Sequence, residues 1–324
     1  MIDQMRRMMR LALAACLLVL TTGVGCDRQP APLNTTASAQ AKNAYEPVAP
    51  IDAASIPARP EFVSVAPDVE RGEVSLRSTT GKPMKLWVYL PTATRPRLDR
   101  SLPAVLIAPA GSNCISGMRL SEGEENEHVP WVKAGFAVIA YELDGPLEGR
   151  NLADGVRAFI AARGGLANAA AALDYATARL PEVDPAKVVA VGHSSAATVA
   201  LLVARVDPRV RAVVAFAPRA DVAQPINEQM MKSLENVIPG SNQVIHDISP
   251  VNFIDDLAKP TMLFVAQDDE NINPAAVTKL AEQLRAKGRS PQLIVVPSGG
   301  HYEPMIAQGI ATAIEWTKRE LTAR

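Results

Sequence analysis

Three polar residues of the sequence have the side-chain types that serine-dependent hydrolysis requires. Ser194 lies in the string Gly-His-Ser-Ser-Ala at positions 192–196, Asp269 comes after an apolar run at 260–266, and His301 comes after another at 292–296. A serine hydroxyl attacks an acyl carbon when a base takes its proton and a carboxylate holds that base in the correct tautomer. Because all three follow predicted strands, we expect them to meet at one edge of a parallel sheet.

The residues around Ser194 predict a sharp turn from a strand into a helix. Residues 187–191 are mostly β-branched, which favours a buried parallel strand, and residues 196–202 are rich in Ala, Leu and Val. The string resembles the nucleophile elbow of the α/β-hydrolases, in which small neighbours let strand and helix approach closely. Ala196 stands where those enzymes usually have glycine. The alternative interpretation is an ordinary strand-to-helix turn with a capping serine.

His301 is the best candidate for the base among the four histidines. His128 and His246 lie in polar stretches, and His193, next to the serine, is expected to point away from it. Only His301 follows the last predicted strand, behind a Gly-Gly pair whose backbone freedom can bring an imidazole over the sheet edge. The alternative is a surface histidine without a catalytic role.

Asp269 is the predicted acid of the site. The chain order serine, aspartate, histidine is that of the α/β-hydrolases, whose acid loop resembles Gly-x-x-Asp-x-x-Val-Pro. Ala266, Asp269 and Ile272 match this frame, but Pro274 comes one place late. That slip leaves Asp268 open as the alternative, and Asp221, which follows the preceding predicted strand, is a more distant one.

The oxyanion that forms during acyl transfer needs hydrogen-bond donors. In α/β-hydrolases one donor is the N–H of the residue after the nucleophile, here Ser195, and the other comes from the loop after an earlier strand. That loop is residues 109–114, where Pro109, which has no N–H, replaces a customary histidine. Gly111 or Ser112 is therefore expected to supply the second donor. The alternative is a Gly-Ser turn without a role.

Strands and helices alternate from residue 104 onward, which predicts a mostly parallel sheet with helices on both faces. A hairpin of residues 73–78 and 84–90 comes before it, and residues 219–249 are expected to form a small cap. From this hairpin to the last predicted helix, the sequence resembles prolyl-oligopeptidase-like and dienelactone-hydrolase-like members of the α/β-hydrolase superfamily. The resemblance implies an α/β-hydrolase domain over residues 69–324.

The N-terminus has the features of an export signal. Three arginines come before the apolar run 11–20, which is short for a membrane span and is followed by small residues and Cys26. This arrangement resembles a bacterial lipobox, which implies that residues 1–25 are removed and Cys26 is lipidated, anchoring the protein on the periplasmic side of a membrane. Residues 26–68 are predicted to be a flexible tether. The alternative is plain secretion.

Composition narrows the classes of function further. The 33 basic and 34 acidic residues nearly cancel, and no basic cluster follows the N-terminus, so no nucleic-acid partner is expected. Of the three cysteines, only Cys114 belongs to the predicted domain, and it is interpreted as a buried packing residue. Four glutamates within residues 122–127 are interpreted as a solvated loop. No residue pattern implies a metal or an organic cofactor.

The function that these patterns favour is hydrolysis of small carboxylic esters, with short acyl groups preferred. One alternative is a small serine peptidase of the prolyl oligopeptidase type, although the residues before 73 are too few for the β-propeller that full-length members carry. The other alternative is a catalytically silent hydrolase fold that serves as a binding lipoprotein. The oligomeric state is left open.

Overall fold

The computed structural model describes residues 46–92, 100–147 and 151–323. The predicted signal peptide, Cys26 and the first part of the predicted tether lie outside these residues. None of the described helices is both long and apolar enough to cross a membrane.

A nine-stranded sheet forms the centre of the described chain, in the order β1-β2-β3-β5-β4-β6-β7-β8-β9. Its first three strands are antiparallel, and the six strands from β5 to β9 run parallel. Apolar residues fill the central strands because both faces of the sheet are covered. In chain order, β1 to β9 are Phe62–Ala66, Val69–Arg77, Pro83–Pro91, Leu102–Ile107, Ala137–Tyr141, Val183–His193, Val210–Phe216, Thr261–Ala266 and Gln292–Val296.

Helices cover both faces of this sheet, which confirms the predicted fold class. Buried side chains of α2, α3, α4 and α7 pack on one face, and those of α1 and α8 pack on the other. Helix α4 is buried along nearly its whole length, as expected of a helix that is apolar all round. In chain order, α1 to α8 are Glu125–Lys133, Leu152–Ala161, Leu166–Arg179, Ser195–Val206, Glu228–Val237, Ser241–Asp247, Pro274–Ala286 and Ile310–Thr322.

The prediction of a flexible tether is wrong for residues 46–68, because this segment packs against the domain. Strand β1 extends the sheet by pairing with β2, and Ile56 is buried in the core. The Arg179 guanidinium donates hydrogen bonds to the carbonyl oxygens of Ile56 and Pro57. The mostly polar composition of the whole stretch masked its few apolar residues, of which Ile56 is buried and Val48, Ile51 and Phe62 are partly buried against the core.

The acidic stretch at 122–127 is also different from the predicted loop, because helix α1 begins within it. Glu125 and Glu127 occupy its first turn. His128, expected in a polar loop, is 2% exposed and packs its ring against Tyr89.

The predicted cap segment, residues 219–249, contains helices α5 and α6. Leu234 of α5 and Ile245 of α6, with Ile238 and Ile248 just after these helices, belong to the same apolar core as α2, α3 and α4. Arg157 of α2 donates a hydrogen bond to the carbonyl oxygen of Val237 at 3.0 Å. The segment is therefore tied to the helices on one face of the sheet.

Candidate active site

Ser194 sits in a strained turn between β6 and α4. Its backbone has φ 55° and ψ −122°, and its N–H donates to the Phe216 carbonyl at the end of β7. A side chain at Gly192 would place its Cβ 2.3 Å from the Ala196 carbonyl oxygen. Strand and helix therefore approach too closely for any residue but glycine at 192, and this close approach holds the serine hydroxyl outside the end of the strand.

The side chains of Ser194, His301 and Asp269 lie in a single hydrogen-bonded row. Ser194 Oγ is 2.9 Å from His301 Nε2, and His301 Nδ1 is 2.8 Å from Asp269 Oδ2. The three come from the loops after β6, β9 and β8, at the carboxyl edge of the sheet. Such a row allows an imidazole to take the serine proton while a carboxylate stabilises the imidazolium.

Asp269 is buried, and both oxygens of its carboxylate have hydrogen-bond partners. Oδ1 accepts the N–H groups of Asn271 and Ile272, both at 2.9 Å, and Oδ2 faces His301. Burial by itself would raise the pKa of Asp269, but the hydrogen bond with His301 and those two N–H groups hold the pKa below its usual value. The carboxylate therefore stays charged beside the imidazole.

The two other aspartates considered from the sequence do not contact the histidine ring. Asp268 is exposed and accepts the N–H groups of Gly299 and Gly300, at 3.1 and 2.8 Å, so it shapes the turn just before His301. Asp221 accepts the N–H of Ala223 within its own turn. Asp269 is thus the buried carboxylate that contacts the imidazole, and Asp268 is an exposed carboxylate that contacts the loop before His301.

His193 is a site residue whose contacts the sequence did not predict. The sequence predicts only that it points away from the serine; its ring packs on His301, with ring centroids 4.5 Å apart. Its Nε2 lies 2.9 Å from the His301 carbonyl oxygen. Burial, with a smaller contribution from His301, lowers the pKa of His193 to about 4, so the ring is neutral at pH 7. Since a carbonyl only accepts, Nε2 carries the proton and donates it.

The three residues predicted for the oxyanion hole do meet, in an arrangement that the sequence did not suggest. The N–H groups of Gly111 and Ser112 both donate to Ser195 Oγ, each at 3.2 Å. The Ser195 N–H opens helix α4, and it makes no hydrogen bond within the described chain. Four hydrogen-bonding groups of three residues thus meet at the residue that follows the nucleophile.

Cys114 has a reactive type of side chain, but it is packed in the interior of the domain. Burial raises the pKa of the Cys114 thiol, and the residue belongs to the apolar core on one sheet face. Within the described ranges, no group of three or more His, Cys, Asp and Glu side chains is arranged to hold a metal ion.

Sequence comparison places most of the folded chain in one family. Residues 125–323 match the prolyl oligopeptidase family. No curated protein has a sequence that matches this chain.

Solved structures with the same fold include esterases and peptidases. The acetyl xylan esterase from Paenibacillus sp. R4 is 17% identical with a TM-score of 0.61, covering 89% of this chain and 96% of its own. A Mycobacterium tuberculosis puromycin-hydrolyzing peptidase is 19% identical with a TM-score of 0.63, covering 80% of this chain and 40% of its own. A putative dienelactone hydrolase from Klebsiella pneumoniae is 18% identical with a TM-score of 0.55, covering 77% and 98%. These likenesses identify the α/β-hydrolase fold.

Proposed function

Because the chain belongs to the prolyl oligopeptidase family and is a serine hydrolase, we propose that it cleaves carboxylic esters with short acyl groups. The observation that carries this proposal is the hydrogen-bonded row of Ser194, His301 and Asp269. Ester hydrolysis needs no further chemical group than these three, a set of oxyanion donors and water.

The proposed reaction has two halves. Ser194 Oγ bonds to the ester carbonyl carbon, the carbonyl electron pair moves onto oxygen, and the hydroxyl proton passes to His301 Nε2. The intermediate collapses as the alcohol leaves with that proton, giving an acyl-serine. Water then attacks the acyl carbon with His301 again as base, and the carboxylic acid leaves. Asp269 holds the imidazole and stays ionised throughout.

The preference for esters is supported by the extent of the structural likenesses. The acetyl xylan esterase aligns over nearly the full length of both chains, whereas the puromycin-hydrolyzing peptidase is covered over 40% of its own length. Peptide amides also resist attack more than esters do, so esters are the easier substrate for a site of this kind.

The proposed preference for short acyl groups rests on the small number of apolar side chains that could line an acyl-binding pocket. Long acyl chains need a deep apolar channel, since each buried methylene contributes about 0.8 kcal/mol. Only 4% of the residues are aromatic, and the segment 219–249 adds two short helices whose apolar side chains, apart from the exposed Val237, are packed in the core or partly buried against it. Little apolar surface remains in this segment to line such a channel.

The deciding measurement is kcat/KM for p-nitrophenyl esters of two to sixteen carbons, with Ser194→Ala as the inactive variant. We expect acetate and butyrate to be the best substrates, and Ser194→Ala to lose both turnover and labelling by a fluorophosphonate. A preference for the long chains would contradict the short-acyl proposal. Substantial turnover by folded Ser194→Ala protein would contradict the assignment of the nucleophile.

A small serine peptidase is the second candidate, favoured by the family to which the chain belongs. It uses the same three residues on an amide carbon. Peptide p-nitroanilides assayed beside the esters separate the two candidates, because faster amide cleavage would favour the peptidase. A folded protein that hydrolyses neither class and takes no fluorophosphonate label would favour the silent binding lipoprotein.

We also propose that the protein is exported and anchored to the periplasmic face of a bacterial membrane through lipid on Cys26. The support is the sequence pattern of a charged start, an apolar run and small residues before this cysteine. Metabolic labelling with palmitate tests it, with Cys26→Ser as the control. We expect label on the wild-type protein alone, and an unlabelled wild-type protein would leave plain secretion as the explanation.

A further inference from the structure

The side chain of Ser195 is the unusual feature of this site. Its hydroxyl oxygen accepts two backbone N–H groups, from Gly111 and Ser112, both at 3.2 Å. The residue is 3% exposed, so water has little access to it. Because Ser195 follows Ser194 directly, this hydroxyl lies on the residue next to the nucleophile.

The hydrogen-bond inventory of Ser195 leaves two donors unused. A serine hydroxyl has two lone pairs and one proton, and here both lone pairs are engaged by N–H groups. Its proton has no acceptor within the part of the chain that the structure describes, and neither does its backbone N–H. Buried donors without acceptors are rare in proteins, and they call for a functional explanation.

The two N–H bonds also make the hydroxyl a stronger donor. Each N–H withdraws electron density from the oxygen that it binds, and hydrogen bonds in a chain polarise one another in this way. The oxygen cannot turn its proton towards Gly111 or Ser112, because those groups are themselves donors. The O–H bond therefore takes the remaining tetrahedral direction of the Ser195 oxygen.

We propose that the Ser195 hydroxyl is a catalytic hydrogen-bond donor to the oxyanion, and that Gly111 and Ser112 act through it. In the usual arrangement a loop N–H contacts the oxyanion directly, beside the N–H of the residue after the nucleophile. Here the loop N–H groups reach the Ser195 oxygen, and Ser195 presents both its N–H and its O–H. The hydroxyl keeps its proton throughout, because it only donates a hydrogen bond to the charge that forms on the carbonyl oxygen.

Ser195→Ala tests the proposal sharply, because it removes the hydroxyl and at the same time releases both loop N–H groups. We expect kcat to fall about 100-fold, the size of effect seen when one oxyanion donor is lost, with KM nearly unchanged. Ser195→Thr keeps a hydroxyl and should recover much of the loss. If the loop N–H groups were the true donors, Ser195→Ala would have wild-type or higher kcat, and that result would overturn the proposal.

Ser249→Ala is the matched control for the loss of a buried serine hydroxyl. Ser249 Oγ accepts the Val222 N–H at 3.0 Å and donates to the Ile245 carbonyl at 2.7 Å, outside the proposed catalytic residues. This variant should lower the melting temperature and leave kcat unchanged. Should Ser195→Ala not fold, Ser195→Cys, which replaces the hydroxyl with a weakly donating thiol, takes its place: a wild-type kcat for that variant would overturn the proposal.

A second readout separates transition-state stabilisation from a structural role. A trifluoromethyl ketone forms an adduct with Ser194 that carries an oxyanion, so its inhibition constant should rise in Ser195→Ala by the factor by which kcat/KM falls. An unchanged inhibition constant would overturn the proposal.

This inference rests on the proposed role of Ser194 and not on the ester preference. Esters and amides pass through the same oxyanion, so the Ser195 variants are compared on whichever class the wild-type protein hydrolyses. If wild type hydrolyses neither, the rate at which a fluorophosphonate labels Ser194 is compared instead, and equal rates for wild type and Ser195→Ala would overturn the proposal.

Discussion

At the residue scale, two adjacent aspartates have different tasks. Asp269 is buried on the imidazole of His301, whereas Asp268 is exposed and accepts the N–H groups of the Gly299-Gly300 turn. Sequence spacing could not separate neighbours one position apart. The difference arises because successive side chains of a loop point in different directions, and only one of them can reach the ring.

The first prediction compares these two carboxylates. Asp269→Asn should lower kcat by about 10³- to 10⁴-fold, because the amide can no longer hold the imidazole in the tautomer that accepts the serine proton. Asp268→Asn should lower kcat far less, since it weakens only the turn before His301. Steady-state kinetics of both variants checks this, and the reverse ranking would move the acid to Asp268.

His193 belongs to the same scale as a residue that positions the base. Its Nε2–H donates to the His301 carbonyl, and its ring also packs on Tyr302. His193→Ala should lower kcat between about 10- and 100-fold with little change in KM, because a small displacement of a catalytic group is costly. His193→Gln, which retains an N–H donor of similar reach, should recover part of the activity. A wild-type kcat for the alanine variant would show that the contact has no positioning role.

At the element scale, the first turn of helix α1 contacts the loop of His301 through Glu127 and Tyr302. The Glu127 carboxyl is buried there, which disfavours its charged form. Burial raises the pKa of Glu127 to about 7, although the Tyr302 hydroxyl acts in the opposite direction. Glu124, one turn earlier, also has a pKa raised by burial to about 7. Both groups therefore bind their protons more tightly in the folded protein than in the unfolded chain.

The third prediction follows from the sign of that shift. Stability contributed by the neutral Glu127 carboxyl is present below the unfolded pKa, near 4.5, and is lost as the pH rises through about 7. Glu127→Gln should therefore raise the melting temperature by a few degrees at pH 8 and leave it almost unchanged at pH 4. Glu282→Gln, at an exposed position of α7, is the control and should change neither value. Equal effects of Glu127→Gln at both pH values would contradict the prediction.

At the scale of the whole molecule, the folded unit begins well before residue 69, the boundary predicted from the sequence. Ile56 is buried in the core, and Arg59 forms two hydrogen bonds with the Glu182 carboxylate, at 2.9 and 2.7 Å. The N–H of Ile51 donates to Asp174 at 2.8 Å. These contacts join the segment to helix α3 and to the start of β6.

The fourth prediction compares proteins that lack residues 1–45 or 1–68. The longer deletion removes β1, exposes the edge of β2 and withdraws Ile56, whose burial contributes about 1.5–3 kcal/mol. We expect its melting temperature to be lower by about 5 °C or more, since each kcal/mol corresponds to about 2–4 °C in a domain of this size. Thermal melts followed by circular dichroism check this. Equal melting temperatures would mean that the segment adds no stability.

The sequence by itself determined the features that depend on local pattern. β-branched runs alternating with Ala- and Leu-rich segments predicted the sheet and its helices, because buried parallel strands are apolar on both faces. The same alternation put a serine, an aspartate and a histidine after three different strands. The elbow glycine at 192 was also readable locally, since it marks a turn too tight for a side chain.

Only the tertiary structure decided which groups touch across those loops. It separated Asp269 from Asp268, brought His193 onto the base, and aimed the Gly111 and Ser112 N–H groups at the Ser195 hydroxyl. It also packed residues 46–68 onto the domain, where a few apolar side chains outweigh a polar composition. These outcomes depend on distances between residues that are far apart in the chain, and no local pattern carries that information.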